Sequence, residues 1–294
     1  MSGFVAPLTG LAPRQAWEIM ARSDRSTLLI GDCNHMNYKI MDQLTMALPA
    51  LGAAGFRHLG RELSQAAFQG AVNAFNQAGT LERLSGRDVQ QFADSLADYT
   101  FPTDRHNPQQ GDYKPRFLAQ VMICRRENIG FHCLNFNELY PACLVAEPEI
   151  RRMQLLNYST QTLYDGRIPS QVAPADRPLI DLAAKQIMQH NSEGDRDRAA
   201  ALLALGKSGR VALMYGAGHF VDKAAPNGLI GDGINKFLPA ESFAYVQVGT
   251  RKEIERVNAG MFGSLLPGDI HIYTDENKAA IMPTPTGRKL MTLA

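Results

Sequence analysis

The chain has 294 residues, 45% of them hydrophobic, and a formal net charge of +1. That length and apolar share predict one folded domain with a substantial core. The near-zero charge, with basic residues scattered rather than gathered in a block, excludes nucleic acid as the main partner. No run approaches the roughly 18 apolar residues of a membrane span. The opening "MSGFVAPLTGLAPRQAWEIM" lacks a charged start followed by an apolar stretch, so no export signal is expected.

Taken in chain order, short apolar runs alternate with longer periodic ones. "AWEIMARS" reads as a helix and "STLLI" as a strand. "YKIMDQLTMALPAL" reads as a helix interrupted or ended near Pro49. "GFRHLGREL" is a strand with a polar face, on which the period of two puts Phe56, His58, Gly60 and Glu62 together. "SQAAFQGAVNAFNQAG" is a helix closed by a glycine. Residues 81–112 read as a polar, partly helical cover, with Ser85 as a helix cap.

"DYKPRFLAQVMICRREN" then reads as a helix and "IGFHCLNF" as a strand. Residues 137–175 read as helices and loops over one end of the sheet. "DRPLIDLAAKQIMQHNSEGDRDRAAALLALGKSG" holds two helical stretches parted near Glu193 and Gly194. "RVALMY" and "SFAYVQVGT" are strands, and "GLIGDGINKFL" between them is a short helix with loops. "DIHIYTD" reads as a last edge strand. The tail 277–294, with Pro283, Pro285 and Gly287, reads as loosely held. This succession predicts a single α/β domain with a mainly parallel sheet and a core over about 26–275. Cys33, Cys124, Cys133 and Cys143 form no close pair and are expected as free thiols.

Two stretches repeat one plan. "RQAWEIMARSDRSTLLIGDCNH" and "RDRAAALLALGKSGRVALMYGAGH" each run helix, turn, apolar strand, glycine, histidine. A central parallel strand is apolar on both faces, so its first polar residues appear at its C-terminal end, where α/β folds place ligands. His35 and His219 are thereby expected on one rim, with Glu62 at the end of a third strand and Asp32 beside them. Two carboxylates and two imidazoles can bind a divalent metal, or perform acid–base catalysis without one. The spacing lacks the close histidine pair of helix-borne zinc sites, so no tightly bound metal is expected.

Each of these residues also has an ordinary structural role open to it. Asp32 can cap the helix that begins near Asn34 to Tyr38. Arg196 and Arg198, read at a helix start, can hold a carboxylate or an anionic substrate, or be solvated. Asp195 and Asp197 read as ordinary acids of a helix N-terminus. His58, His132 and His271 read as half-buried, hydrogen-bonded strand histidines. Met36, Met41 and Met46, at roughly helical spacing, read as core filling.

These motifs resemble the superfamily of erythromycin esterases, ChaN-like haem-uptake proteins, TraB-type proteins and Tiki metalloproteases. "GDCNH" is similar to the Gly-Glu-x-x-His of the esterases, with the shorter Asp32 in the glutamate's place. Glu62 matches the acid after the second strand, "RDRAAALLAL" the Arg-Asp-rich helix, and "GAGHF" the last histidine motif. "DYKPRFLAQVMICRRENIGFHCLNF" is similar to the ChaN-like pattern, with Tyr113 and Asn135 at matching positions, and "GLIGDGINKFL" to the segment after the last motif. The likeness spans about 26–250, without a lipoprotein signal.

The resemblance implies a Rossmann-like fold of two pseudo-repeated halves with helical insertions, and a crevice lined by the motif histidines and acids. It does not settle the reaction, since the superfamily includes hydrolases, haem binders and effector domains; the chain reads as a hydrolase-like protein acting on a small-molecule or peptide substrate. His35 or His219 would be the base, with Glu62 or Asp32 orienting it or acting as the second acid–base group. Arg196 or Arg198 would counter developing negative charge, and Tyr113 and Asn135 would bind substrate. Because Asp32 precedes His35 so closely, His35 is expected as the base and His219 as the group that binds or polarises substrate. The same resemblance leaves two other functions open, a haem or metal carrier of the ChaN type and a non-catalytic effector module that binds host proteins. The implied setting is the bacterial cytoplasm or, for a secreted effector, a host cell.

Overall fold

A computed structural model describes residues 8–34, 37–78, 110–135, 141–223, 233–259, 264–266 and 268–282. The elements run β1 (Leu8–Leu11), α1 (Pro13–Ala21), β2 (Thr27–Asp32), α2 (Tyr38–Ala53), β3 (Phe56–Ser64) and α3 (Gln65–Ala78). They continue with α4 (Gln110–Arg126), β4 (Gly130–Asn135), α5 (Glu149–Asp165), α6 (Arg177–Leu205), β5 (Arg210–Gly216) and β6 (Val221–Lys223). The last are β7 (Phe243–Gly249), α7 (Arg251–Asn258), β8 (Ser264–Leu265), β9 (Ile270–Tyr273) and β10 (Lys278–Ile281).

Eight strands form one sheet in the order β1-β10-β9-β7-β2-β5-β3-β4. From β4 through β9 the neighbours are parallel, and β10 and β1 add on antiparallel. This is the mainly parallel α/β architecture that the βα succession predicts. The sheet is covered on both faces. Leu28 and Ile30 of β2 pack with α1, α2 and α4, whereas Leu29 joins Tyr215, Leu202 and Phe220 on the α6 face. Burial on both faces explains why β2 and β5 read as unbroken apolar runs.

The two repeated stretches lie side by side. β2 and β5 pair in parallel, with Gly31 opposite Tyr215 and Asp32 opposite Gly216. Gly31 serves packing here, because a side chain at this position would run into the phenol of Tyr245 on β7.

Several expectations are corrected. Phe56 does not share a face with His58, Gly60 and Glu62. The β3–β5 register shifts between Phe56 and His58, and this bulge turns Phe56 into the core that holds Leu59 and Leu63. The two helices expected around Glu193 and Gly194 are one helix, α6, in which Gly194 is buried. A glycine there costs about 1 kcal/mol of helix propensity, which close packing can offset. Pro49 neither ends nor breaks α2. It sits on the exposed side of the helix, where water can reach the carbonyl left without a donor. β9 is no edge strand, because β7 and β10 flank it. The tail is held over Lys278–Ile281, which pair with β9. The Ser85 cap, and the cover from 81 to 109, lie outside the described residues.

All four cysteines are free. Burial pushes the thiols of Cys124 and Cys133 up to about 12. His132 accepts or donates one hydrogen bond with His58, Nε2 to Nδ1, at 3.1 Å. Burial, and then the nearby His58, lowers the pKa of His132 to about 4. Burial, and then the charge of Arg251, lowers that of His271 to about 4. Both rings are therefore neutral in the fold but take up a proton near pH 6.5 when unfolded. Protons bind the unfolded chain first, so their contribution is complete above about pH 6.5 and is lost as pH falls towards 4. Melting temperature is expected to drop across that window, and less steeply in His132→Gln than in the parent. A flat profile from pH 7 to 4 in thermal melts would contradict this.

Candidate active site

β5 ends at Gly216, and a 3-10 turn over Ala217–His219 follows. Ala217 is buried, so the turn folds back onto the sheet and His219 stands at its rim. The His219 Nδ1 lies 2.8 Å from Oδ1 of Asp195. A carboxylate can only accept, so Nδ1 carries the proton and donates it to Asp195. The other nitrogen, Nε2, then presents its lone pair. It lies 4.0 Å from Oε1 of Glu62. The second oxygen of Glu62 accepts the Gly216 N–H at 2.7 Å, which ties the end of β3 to the end of β5.

Asp195 and Arg198 come from the interior of α6, one turn apart, and are 4% and 2% exposed. Their ion pair is 2.7 Å long. Arg198 also donates to the Leu134 carbonyl and to Asn135 Oδ1, at 3.3 and 3.1 Å, both at the end of β4. Its guanidinium lies 4.8 Å over the Tyr215 ring, and the same ring meets His219 edge-on at 4.8 Å. Burial works against the charge of Arg198. Tyr215, Asp195 and Glu62 around it outweigh that, so its pKa lies above the usual guanidinium value. A cavity of about 500 Å³ opens over these residues, floored by Glu62, Asn135, Tyr215 and His219 and walled by α5 and α6. That volume suits a small organic ligand.

Of the residues singled out from the sequence, the fold brings Glu62, His219, Arg198 and Asn135 together. Asp32 stands apart. It shares the β2 face of Leu28 and Ile30, opposite to that of Glu62, and does not line the cavity. Its carboxylate accepts the Asn34 N–H at 2.9 Å, an Asx turn. It does not cap the following helix, because Asn37 is the cap of α2 and accepts from Lys39 N. Glu253 holds this turn, accepting from Asn34 and Asn37 at 2.7 and 3.0 Å. Arg196 is exposed and lies over Phe237, at 5.5 Å. Neither arginine is at a helix start, since both lie deep within α6. Tyr113 is in the first turn of α4, and its side chain lies outside the described residues, as do His35 and Met36.

Asp195 and Tyr215 are the members of the site that reading the sequence missed. The signal for Asp195 was the "GDRDR" spacing, which sets an acid and an arginine three apart on one helix face. Read at a helix start, it looked like ordinary N-terminal charge. Among the described residues no group of three or more His, Cys, Asp or Glu is arranged to hold a metal ion.

No protein-family model matches the sequence, and no curated protein matches it at a significant level. Solved structures similar in fold include the type III effector HopBA1, at 14% identity over 84% of this chain and 88% of that one, with a TM-score of 0.44. They include ChaN of Campylobacter jejuni, described as binding haem cofacially, at 14% identity over 82% and 91%, with a TM-score of 0.46. A Bacillus cereus protein matches at 9% identity over 83% and 72%, with a TM-score of 0.42. A ChaN protein and a type III effector are thus among the neighbours. The likeness is one of fold. No described helix is long and apolar enough to cross a membrane.

The buried pair and the rim histidine are expected to respond differently to truncation. Asp195→Ala leaves the Arg198 charge buried without its carboxylate and is expected to cost about 3 kcal/mol or more. His219→Ala leaves no buried charge unpaired and is expected to cost about 1 kcal/mol. Urea denaturation of both variants checks the order, and equal losses would contradict it.

Proposed function

We propose that the protein is a hydrolase in which His219 is the general base. The observation that carries this reading is the His219 ring held by buried Asp195 through Nδ1, with Nε2 presented to the cavity beside Glu62. This is the geometry of a base and the acid that orients it. In the hydrolysis of an ester or amide, His219 Nε2 takes a proton from water as the water oxygen attacks the carbonyl carbon. The proton then passes to the leaving oxygen or nitrogen as its bond to carbon breaks. Glu62, across a 4.0 Å gap from Nε2, is the second acid–base group and helps orient the water.

Of the roles the sequence leaves open to Arg198, holding a carboxylate of the site is the one this reading adopts. Its nitrogens are engaged by Asp195, Leu134 and Asn135, so it positions Asp195 instead of countering charge on the substrate. The assignment of the base also moves, from His35 with Asp32 to His219 with Asp195. The setting on this reading is the one the motif resemblance implies, the bacterial cytoplasm or a host cell that receives the protein as an effector.

The test is a panel of p-nitrophenyl esters and fluorogenic peptides. The parent is expected to cleave at least one class. His219→Ala is expected to lose about 10²-fold or more in kcat/KM, and Asp195→Asn a comparable factor because the charge that stabilises the protonated ring is lost and the amide can turn its N–H towards Nδ1, favouring the wrong tautomer. Turnover in folded His219→Ala equal to the parent would overturn the assignment. A cellular phenotype that survives folded His219→Ala would replace catalysis with a binding role.

A further inference from the structure

The wall of the cavity carries information about charge. Two carboxylates line it, Glu62 on the floor and Glu193 on α6. Among the described lining residues only Arg198 carries a permanent positive charge. That charge is paired with Asp195, 2.7 Å away, and the guanidinium also donates to the Leu134 carbonyl and to Asn135. The rest of the described polar lining is the imidazoles of His190 and His219 with amides and hydroxyls, such as Gln186, Gln189 and Thr160, facing an apolar patch at Leu156 and Ile187. Gln189 donates to Glu193 at 2.9 Å, which holds that carboxylate on the α6 wall.

We propose that this cavity takes an uncharged or cationic substrate with an apolar body and rejects anionic ones, because Glu62 and Glu193 line it while the Arg198 charge is satisfied by Asp195. The proposal names the substrate class of the hydrolase reading above and rests on that reading only for the identity of the site. An anion entering here meets two like charges in a partly enclosed space, and among the described lining residues the one permanent cation, Arg198, is already paired with Asp195. An ammonium or guanidinium group meets the reverse. The apolar patch takes the body of the substrate, and the amides take its hydroxyl or carbonyl groups.

The test uses binding, so it stands whether or not any hydrolysis is found. Phenyltrimethylammonium, benzyl alcohol and benzoate have similar bodies and differ in charge. Each is titrated into the full chain by calorimetry at low salt. The cation is expected to bind about tenfold more tightly than benzoate, the size of one or two carboxylate interactions at these separations. Glu193 is exposed, so its replacement spares the core. Glu193→Gln is expected to shrink the difference and Glu193→Lys to abolish or reverse it. Benzoate binding as tightly as the cation would overturn the proposal. A preference unchanged in Glu193→Lys, or no binding by any of the three, would do so as well. Failure of every ester and peptide to be cleaved would remove the hydrolase reading while leaving this result intact.

Discussion

The ion pair of Asp195 and Arg198 is the constraint on which the rest of the site depends. Two opposite charges at 4% and 2% exposure persist only because their hydrogen-bonding groups are engaged. Arg198 donates to the end of β4, and Asp195 accepts from the turn after β5. One pair thus joins a helix, a strand end and the turn that carries His219. It also requires that α6 be helical over Asp195 to Arg198, because helical geometry puts residues three apart on one face.

The second constraint is the pleat of the sheet. Arg61 and Glu62 are neighbours in sequence and point to opposite faces. Glu62 reaches the Gly216 N–H on the α6 side, whereas Arg61 lies against Met41 and the Phe117 ring on the other. Burial lowers the Arg61 pKa to about 10, and Asp32 and then Glu62 work against that fall. The rim therefore has two charged sides. One holds the His219 site. The other holds Asp32 and the turn fastened by Glu253, which also closes the N-terminal capping box of α7 with Thr250.

A fold of this kind carries many chemistries, and the activity must be argued from the site. What distinguishes this site is the order of its contacts. Arg198 fixes Asp195, Asp195 fixes the His219 tautomer, and the tautomer leaves Nε2 towards Glu62 and the cavity. Each step is a hydrogen-bonding necessity. Tyr215 packs between the arginine and the histidine, so the ring has little freedom to turn away.

By itself the sequence determined the α/β class and the arrival of His219 and Glu62 at strand ends. These follow from periodicity and from apolar runs that must be buried, which are local properties of the chain. The tertiary structure alone decided the faces and the partners. A bulge between Phe56 and His58 moved Phe56 off the face of Glu62, and strand parity put Asp32 on the far side of the sheet. Asp195 could not be recognised because an acid three residues before an arginine looks the same in the first turn of a helix and deep inside one. The four-residue strands "LTGL" and "KAAI" were unreadable because they are too short to show a period and are held by pairing with distant segments. Register, bulges and long-range pairing depend on residues far apart in the chain, and no local pattern records them.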